Sequence, residues 1–214
     1  MRSIEKQFYL NTKKYFPDCS IDSFTMEITI RNNDQHHITL FYRIRMLAEN
    51  EILTYNLKIS FKEVESKWLN YRDELMYPNS CPTTIFVTLE KFAPNFFQFY
   101  GLNLSENEVQ NFEEIFDTIH LQLTIPMIEK YSNIENVDSI INPINNIVSK
   151  GIQSDQVYPI RAVLVAQMAD NPRLSEIIKD MRKYCQDSYE MGIKENYVPA
   201  TKLLSVFEKM FGKE

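Results

Sequence analysis

Residues 23 to 103 alternate apolar and polar positions in steps of two, whereas most of the chain after Ser105 repeats in steps of three and four. A period of two sends successive side chains to opposite faces of a strand, and a period near 3.6 lays one stripe along a helix. A parallel sheet needs a crossover helix between strands, and none is evident before Ser60. The expected architecture is therefore α+β: an N-terminal antiparallel meander of about five strands with an opening helix, followed by a C-terminal helical half packed on it.

Ser3 to Tyr15 reads as the opening helix, with Ile4, Phe8 and Tyr15 inward and Pro17-Asp18 as the break. Phe24, Met26, Ile28 and Ile30 share one strand face, opposite Thr25, Glu27, Thr29 and Arg31. Asn32-Asn33-Asp34-Gln35 turns the chain into a second strand, with Ile38, Leu40, Tyr42, Ile44 and Met46 in phase. After Glu49-Asn50-Glu51 a third carries Leu53, Tyr55, Leu57, Ile59 and Phe61. Phe61, Val64, Trp68, Tyr71 and Leu75 then switch to spacings of three and four, which predicts an inserted helix capped by Ser60 with Glu63, a long loop being the alternative. Trp68 falls in the inward phase. Beyond Pro78 and Pro82, Ile85, Val87 and Leu89 alternate again, and Pro94-Asn95 leads into a strand from Phe96 to Leu102.

Ser105-Glu106-Asn107-Glu108 has the form of a capping box, and Val109, Phe112, Phe116, Ile119 and Leu123 continue from it as one stripe. Pro126 either kinks this helix or starts its successor, with Thr124 or Ile125 outside, since an interior proline costs about 3 kcal/mol. Asn136 is placed to cap a segment holding Val137, Ile140, Ile141, Ile144 and Val148, which Gly151 closes. Pro159 to Ala169 and Pro172 to Met191 read as an antiparallel pair across Asp170-Asn171, with Leu174, Ile177, Ile178, Met181 and Cys185 inward in the second. Pro199 to Phe211 completes the helical half. Neither an internal repeat nor a Ser/Gly-rich linker near residue 104 appears, so one domain is expected over 1–214, with a small helical subdomain from about residue 134 as the alternative.

A chain of 214 residues that is 44% apolar and 24% charged has the composition of a globular protein. Met1 to Leu10 lacks the apolar core of a signal peptide, and the apolar helical stretch Ala162 to Ala169 is far too short for a bilayer of about 30 Å. A cytoplasmic protein without membrane association is expected. Three widely spaced cysteines, Cys19, Cys81 and Cys185, make no disulfide framework and no zinc spacing. Four isolated glycines exclude the dinucleotide fingerprint and the P-loop.

Catalytic candidates fail one by one. His36 and His37 diverge if extended, His120 stands beside a helical stripe, and each reads as a surface or boundary histidine. No local signature pairs a cysteine with a base, and the carboxylates Glu113 and Glu114 diverge on their helix. No enzyme activity, cofactor or metal is expected. Charge is more telling: residues 1 to 104 hold twelve Lys/Arg against twelve Asp/Glu, but 105 to 214 hold eleven against seventeen. All of the net charge of -6 thus belongs to the helical half. No Lys or Arg lies between Lys91 and Lys130, where Glu106, Glu108, Glu113, Glu114, Asp117 and Glu129 are found. Such acids either solvate a helix and complement its dipole or form a docking surface for a basic partner. Arg31, Arg43, Arg45 and Lys58 on the polar sheet face are interleaved with Glu27 and Glu90, so cross-strand pairing is expected of them rather than direct nucleic-acid binding. Phe92, Phe96, Phe97, Phe99 and Tyr100 put rings on both faces of one hairpin, which helices or a partner must cover.

The segments SFTMEITIR and HHITLFYRIRML, then LTIPMIEKYSNIENVDSII leading to YPIRAVLVAQMADN, resemble in their order a group of small uncharacterised bacterial α+β proteins. Some of these are similar to immunity proteins encoded beside polymorphic toxins. The resemblance carries no functional residues over. It implies a non-catalytic protein-binding protein, with toxin neutralisation by occlusion as its form. Glu106, Glu108, Glu113, Glu114, Asp117, Phe97 and Phe99 are then the expected partner-binding residues, and the partner is expected to be a basic protein. A small enzyme with a site assembled between sheet and helices and a structural subunit of a larger assembly are the alternatives.

Overall fold

A computed structural model describes residues 3–22, 27–47, 50–71, 83–88, 102–103, 112–143, 157–191 and 194–211. They form an α+β fold with an N-terminal antiparallel sheet and a C-terminal helical region. The chain divides into two units, Met1–Ser60 with Ile85–Ser132, and Phe61–Thr84 with Asn133–Glu214. Several sequence expectations concern residues outside this description: Phe24 to Met26, Leu75, Cys81, Leu89 to Tyr100, Ser105 to Val109, and Ile144 to Gly151.

In the first unit, helix α1 spans Ser3–Tyr15, with Phe8 buried and Tyr15 half-buried. Strands β1 (Ser20–Asp22), β2 (Glu27–Asn32), β3 (His36–Leu47), β4 (Asn50–Phe61) and β5 (Ile85–Thr88) lie side by side in chain order. A short β6 (Leu102–Asn103) also pairs with β4, at Ile52 and Leu53. The first strand, β1, has only Ile21 as an apolar residue, too little for a period to show. Ile28, Ile38, Leu40, Tyr42, Tyr55, Leu57, Ile59, Ile85 and Val87 are all buried. Each such side chain contributes roughly 1.5–3 kcal/mol. The polar face carries the predicted cross-strand pairing, with the Lys58 ammonium donating to Glu27.

A β-bulge modifies the expected phase of β2. Thr29 pairs with Thr39 but Arg31 with Ile38, so one extra residue enters β2. Ile28 is fully buried and Ile30 only half, so the two do not share one uniformly buried face. The turn between β2 and β3 is held by Asn33, whose Oδ1 accepts from the amides of Gln35 and His36.

The chain is helical from Phe112 to Tyr131 in three pieces: α3 (Phe112–Ile119), a π turn (His120–Thr124) and α4 (Ile125–Tyr131). Of the two alternatives for Pro126, the irregular continuous helix is the one observed: the proline lies in the first turn of α4, directly after the π turn, and Thr124 and Ile125 stay inside the helical run. Proline cannot donate to the preceding turn, and the switch to i→i+5 bonding, seen where the Ile125 amide donates to the His120 carbonyl, accommodates that loss. Phe116, Ile119 and Ile128 are buried.

In the second unit, α2 spans Lys62–Leu69 and buries Val64 and Trp68 as the spacing predicts. Its cap differs from expectation. Ser60 is still in β4, Phe61 occupies the cap position with extended backbone and no side-chain bond, and Glu63 pairs with Lys67 at 2.9 Å. Helix α5 (Ile134–Ile141) is capped by Asn133 rather than Asn136: its side chain accepts from the amides of Glu135 and Asn136. The helix stops at Ile141, because Asn142 precedes Pro143 and is pushed out of helical conformation to φ -118°, ψ 57°. Replacing Asn133 by alanine is expected to lower stability by about 1 kcal/mol, as read by urea unfolding.

Helix α6 (Tyr158–Met168) is buried continuously from Tyr158 to Ala166. Asp170 adopts φ 48° in the link to α7 (Leu174–Glu190), a left-handed conformation that aspartate tolerates better than most residues. Ile177, Ile178 and Cys185 are buried in α7, but Leu174 and Met181 only half so. Helix α8 (Lys194–Phe211) begins before Pro199 instead of at it. The proline forgoes one backbone bond inside the helix, while Ala200, Leu203, Leu204 and Phe207 bury the stripe that holds α8 in place. No helix among the described residues is long and apolar enough to cross a membrane.

Candidate functional site

Of the seven expected partner-binding residues, Glu113, Glu114 and Asp117 fall among the described residues, while Phe97, Phe99, Glu106 and Glu108 lie outside them. All three acids are on α3, yet they face different surroundings. Asp117 accepts from the Asn11 side-chain amide at 2.7 Å and from the Lys14 ammonium at 2.8 Å, both on α1. The Lys14 hydrogen bond, helped by Asn11 and the Tyr15 hydroxyl, holds the Asp117 carboxyl down at about 2. Glu113 reaches Lys14 only at 3.9 Å, and both Glu113 and Glu114 are exposed in the first helical turn. Further along the same helical run, Leu121 is 55% exposed beside the exposed Gln122. The outward surface thus combines carboxylates that have no close partner among the described residues with an apolar side chain, and Asp117 ties that helix to α1.

His120 opens the π turn and is fully buried, not at the surface or boundary as its position beside the stripe suggested. It lies one turn after Phe116, and α1 brings Thr12 against it. The Thr12 hydroxyl donates to the Phe8 carbonyl at 2.8 Å, so its oxygen is left to accept from His120 Nε2–H at 3.1 Å. That fixes the tautomer and leaves Nδ1 as a buried acceptor without a partner. Phe8 stacks on the imidazole at 5.6 Å, and Tyr15, Phe16 and Tyr55 approach it within 6.5 Å. Burial in this aromatic enclosure pushes the imidazole down to about 4, opposed weakly by Asp117. Below it, the Thr124 hydroxyl donates to the Ile119 carbonyl and accepts from Tyr55. Such a histidine is neutral and enclosed, with no face turned to an incoming substrate.

His36 is also buried, at the start of β3, contrary to the surface or boundary reading, and burial lowers its pKa; His37 is half-buried. Strand alternation at the sheet rim decides which of the two adjacent rings faces inward. Cys19 and Cys185 are buried free thiols, with Cys185 pushed up to about 11 by burial. A low-pKa nucleophilic thiolate is the opposite condition.

The second unit holds a charged network that the sequence reading missed. Arg161 on α6 donates from Nε to Glu65 Oε1 at 3.1 Å and from Nη2 to Oε2 at 3.0 Å. Trp68 Nε1–H and the Thr84 hydroxyl also donate to the Glu65 carboxylate, and Thr84 accepts from the Phe61 amide. The guanidinium sits 5.2 Å over the Trp68 ring. Both charged side chains are about 95% buried, and the carboxylate is saturated with donors. A signal was present: Glu65 lies beside Val64 on the inward phase of α2, and Arg161 interrupts an otherwise apolar helix. Buried charges need partners, so each predicted the other's existence though not its position.

Among the described residues no group of three or more His, Cys, Asp or Glu side chains could hold a metal ion. Compared with protein-family models, curated proteins and solved structures, the chain has no match.

Proposed function

We propose that this protein is a non-catalytic, cytoplasmic protein-binding protein that docks a basic partner on the outward face of α3, with neutralisation of a toxin by occlusion as its biological form. The observation that carries this reading is the exposed pair Glu113 and Glu114, without a close partner among the described residues, on the same helical run as the exposed Leu121. Fixed carboxylates steer a cationic surface into register, and an apolar contact beside them slows its escape. Asp117 serves as a positioning residue, because its bonds to Asn11 and Lys14 hold α3 against α1. The enclosure of His120 and Cys185 supports binding over chemistry, since a general base or nucleophile must reach its substrate. Direct nucleic-acid binding is disfavoured because Lys58 on the sheet is neutralised by Glu27.

The test starts with capture of the partner from native lysate at low and moderate salt, followed by kinetics with the purified pair. The double variant Glu113→Lys/Glu114→Lys is expected to slow association by about tenfold or more at low salt, with an unchanged circular dichroism spectrum. Association as fast as that of the parent protein would overturn the surface assignment.

A further inference from the structure

A cleft of about 270 Å³ opens in the second unit between the end of α5, the start of α6 and one side of α7. Its apolar lining is Ile141, Tyr158, Ile177, Met181 and Tyr184. Tyr158 is fixed by donating its hydroxyl to the Ile141 carbonyl at 3.1 Å, and Tyr184 meets it edge to face at 5.8 Å. On α7 the lining residues Ile177, Asp180, Met181, Tyr184 and Asp187 recur every three or four positions, so one face of the helix forms the wall. Met181 and Tyr184 are left half-exposed there, while Ile177, Ile178 and Cys185 are buried.

Both signs of charge border this apolar space. Arg173 and Lys183 supply cations, and Asp180 and Asp187 supply carboxylates. Arg173 uses its Nε on Glu176 at 2.9 Å, which leaves its Nη groups with donors to offer. Asp180, Lys183 and Asp187 form no ion pair among the described residues. A purely cationic or purely anionic ligand would meet a like charge here, and a purely apolar one would further desolvate the half-buried Arg173 and Asp180 without return.

We infer that this cleft binds a small amphoteric molecule, an ammonium and a carboxylate on one large apolar body, in chemical terms a free aromatic or large aliphatic amino acid. Asp180 takes the ammonium and Lys183, its neighbour one turn along α7, takes the carboxylate, with Arg173 and Asp187 at the two ends of the wall and the body resting on Tyr158, Met181 and Tyr184. A space of this size lies just under the range of drug-sized pockets, which suits a metabolite of that class. The assignment is independent of the docking face on α3, which belongs to the other unit.

Titration calorimetry and thermal unfolding with L-phenylalanine, L-leucine, phenethylamine and 3-phenylpropionate test it. Either amino acid is expected to bind and to raise the melting temperature, and each truncated phenylalanine analogue to bind about tenfold more weakly or worse. Tyr184→Ala should abolish binding, and Asp180→Asn with Asp187→Asn should weaken phenylalanine and phenethylamine while sparing phenylpropionate. Asp180 and Asp187 are half-buried or exposed, so their asparagine variants are expected to unfold at the parent temperature without ligand, whereas Tyr184→Ala loses its edge-to-face contact with Tyr158 and its binding is read by calorimetry below its own unfolding temperature. Absence of any response up to about 10 mM ligand would overturn the proposal. Binding of either truncated analogue as tightly as the amino acid would overturn the amphoteric assignment, and so would binding that survives Tyr184→Ala.

Discussion

Arg161→Met is expected to destabilise the protein by about 3–5 kcal/mol in urea unfolding, the largest effect of any single substitution considered. The methionine fills much of the volume, so the loss comes from Glu65, whose carboxylate would remain about 95% buried with its charge unpaired. Among the described residues, Trp68 Nε1–H and the Thr84 hydroxyl would still donate to it. Native domains are stable by roughly 5–15 kcal/mol, so a loss of this size moves much of the population toward unfolding at moderate temperature. Adding Glu65→Gln is expected to restore about 2 kcal/mol or more, because the neutral amide's oxygen can accept from Trp68 and its NH2 can donate to the Thr84 hydroxyl, with no charge to solvate. Single-substitution costs that simply add, within about 0.5 kcal/mol, would show that the two groups are not energetically coupled.

Stability is expected to fall by about 3 kcal/mol as pH drops from 6.5 to 4, with His120 as the cause. Its folded pKa lies near 4, against 6.5 for the unfolded chain. Above 6.5 both states are neutral and nothing is lost. Between the two values the unfolded chain takes up a proton that the folded one refuses, so unfolding gains about 1.4 kcal/mol per pH unit until the folded imidazole itself titrates. The refusal is geometric: Nε2 already donates to Thr12, and a proton on Nδ1 would place an unpartnered charge among Phe8, Tyr15, Phe16 and Tyr55. Asp117 acts in a different window, since its depressed pKa near 2 gives stability that is lost only below about 3.8. His36 shifts in the same direction as His120 and would leave a smaller slope of its own. His120→Phe is therefore expected to flatten most of the pH dependence between 6.5 and 4, and Thr12 keeps its bond to the Phe8 carbonyl in that variant. An unchanged slope would remove His120 as its origin.

Helix α1, the strands β2 to β4 and the pairing of α6 with α7 come from spacing alone, because each depends on which face of a local element is apolar, whereas β1 is too short to show a period. The burial of Phe8, Val64 and Trp68 was legible for the same reason. So was the exposed position of Glu113 and Glu114, which diverge from the stripe of Phe116 and Ile119. Local rules reached their limit at the caps and prolines. Asn133 and Asn136 are both plausible caps by residue type, and the choice rests on where the chain leaves α4. Pro126 read as either a kink or a boundary and Pro199 as a boundary, and the buried stripes around them hold helical conformation through each.

The network of Glu65 and Arg161 joins residues 96 positions apart, and Thr12 meets His120 across 108. Alternation and helical phase state that a polar side chain turns inward, but they do not name the group that receives it. The amino-acid order thus settled the α+β division, the inward faces and the concentration of acids after residue 105, since these rest on neighbours along the chain. Tertiary packing alone decided that His120 is sealed and neutral, that Asp117 is tied to Lys14 while Glu113 and Glu114 have no close partner among the described residues, and that Arg161 meets Glu65. Those outcomes depend on desolvation and on partners brought together from distant segments, which no local period encodes.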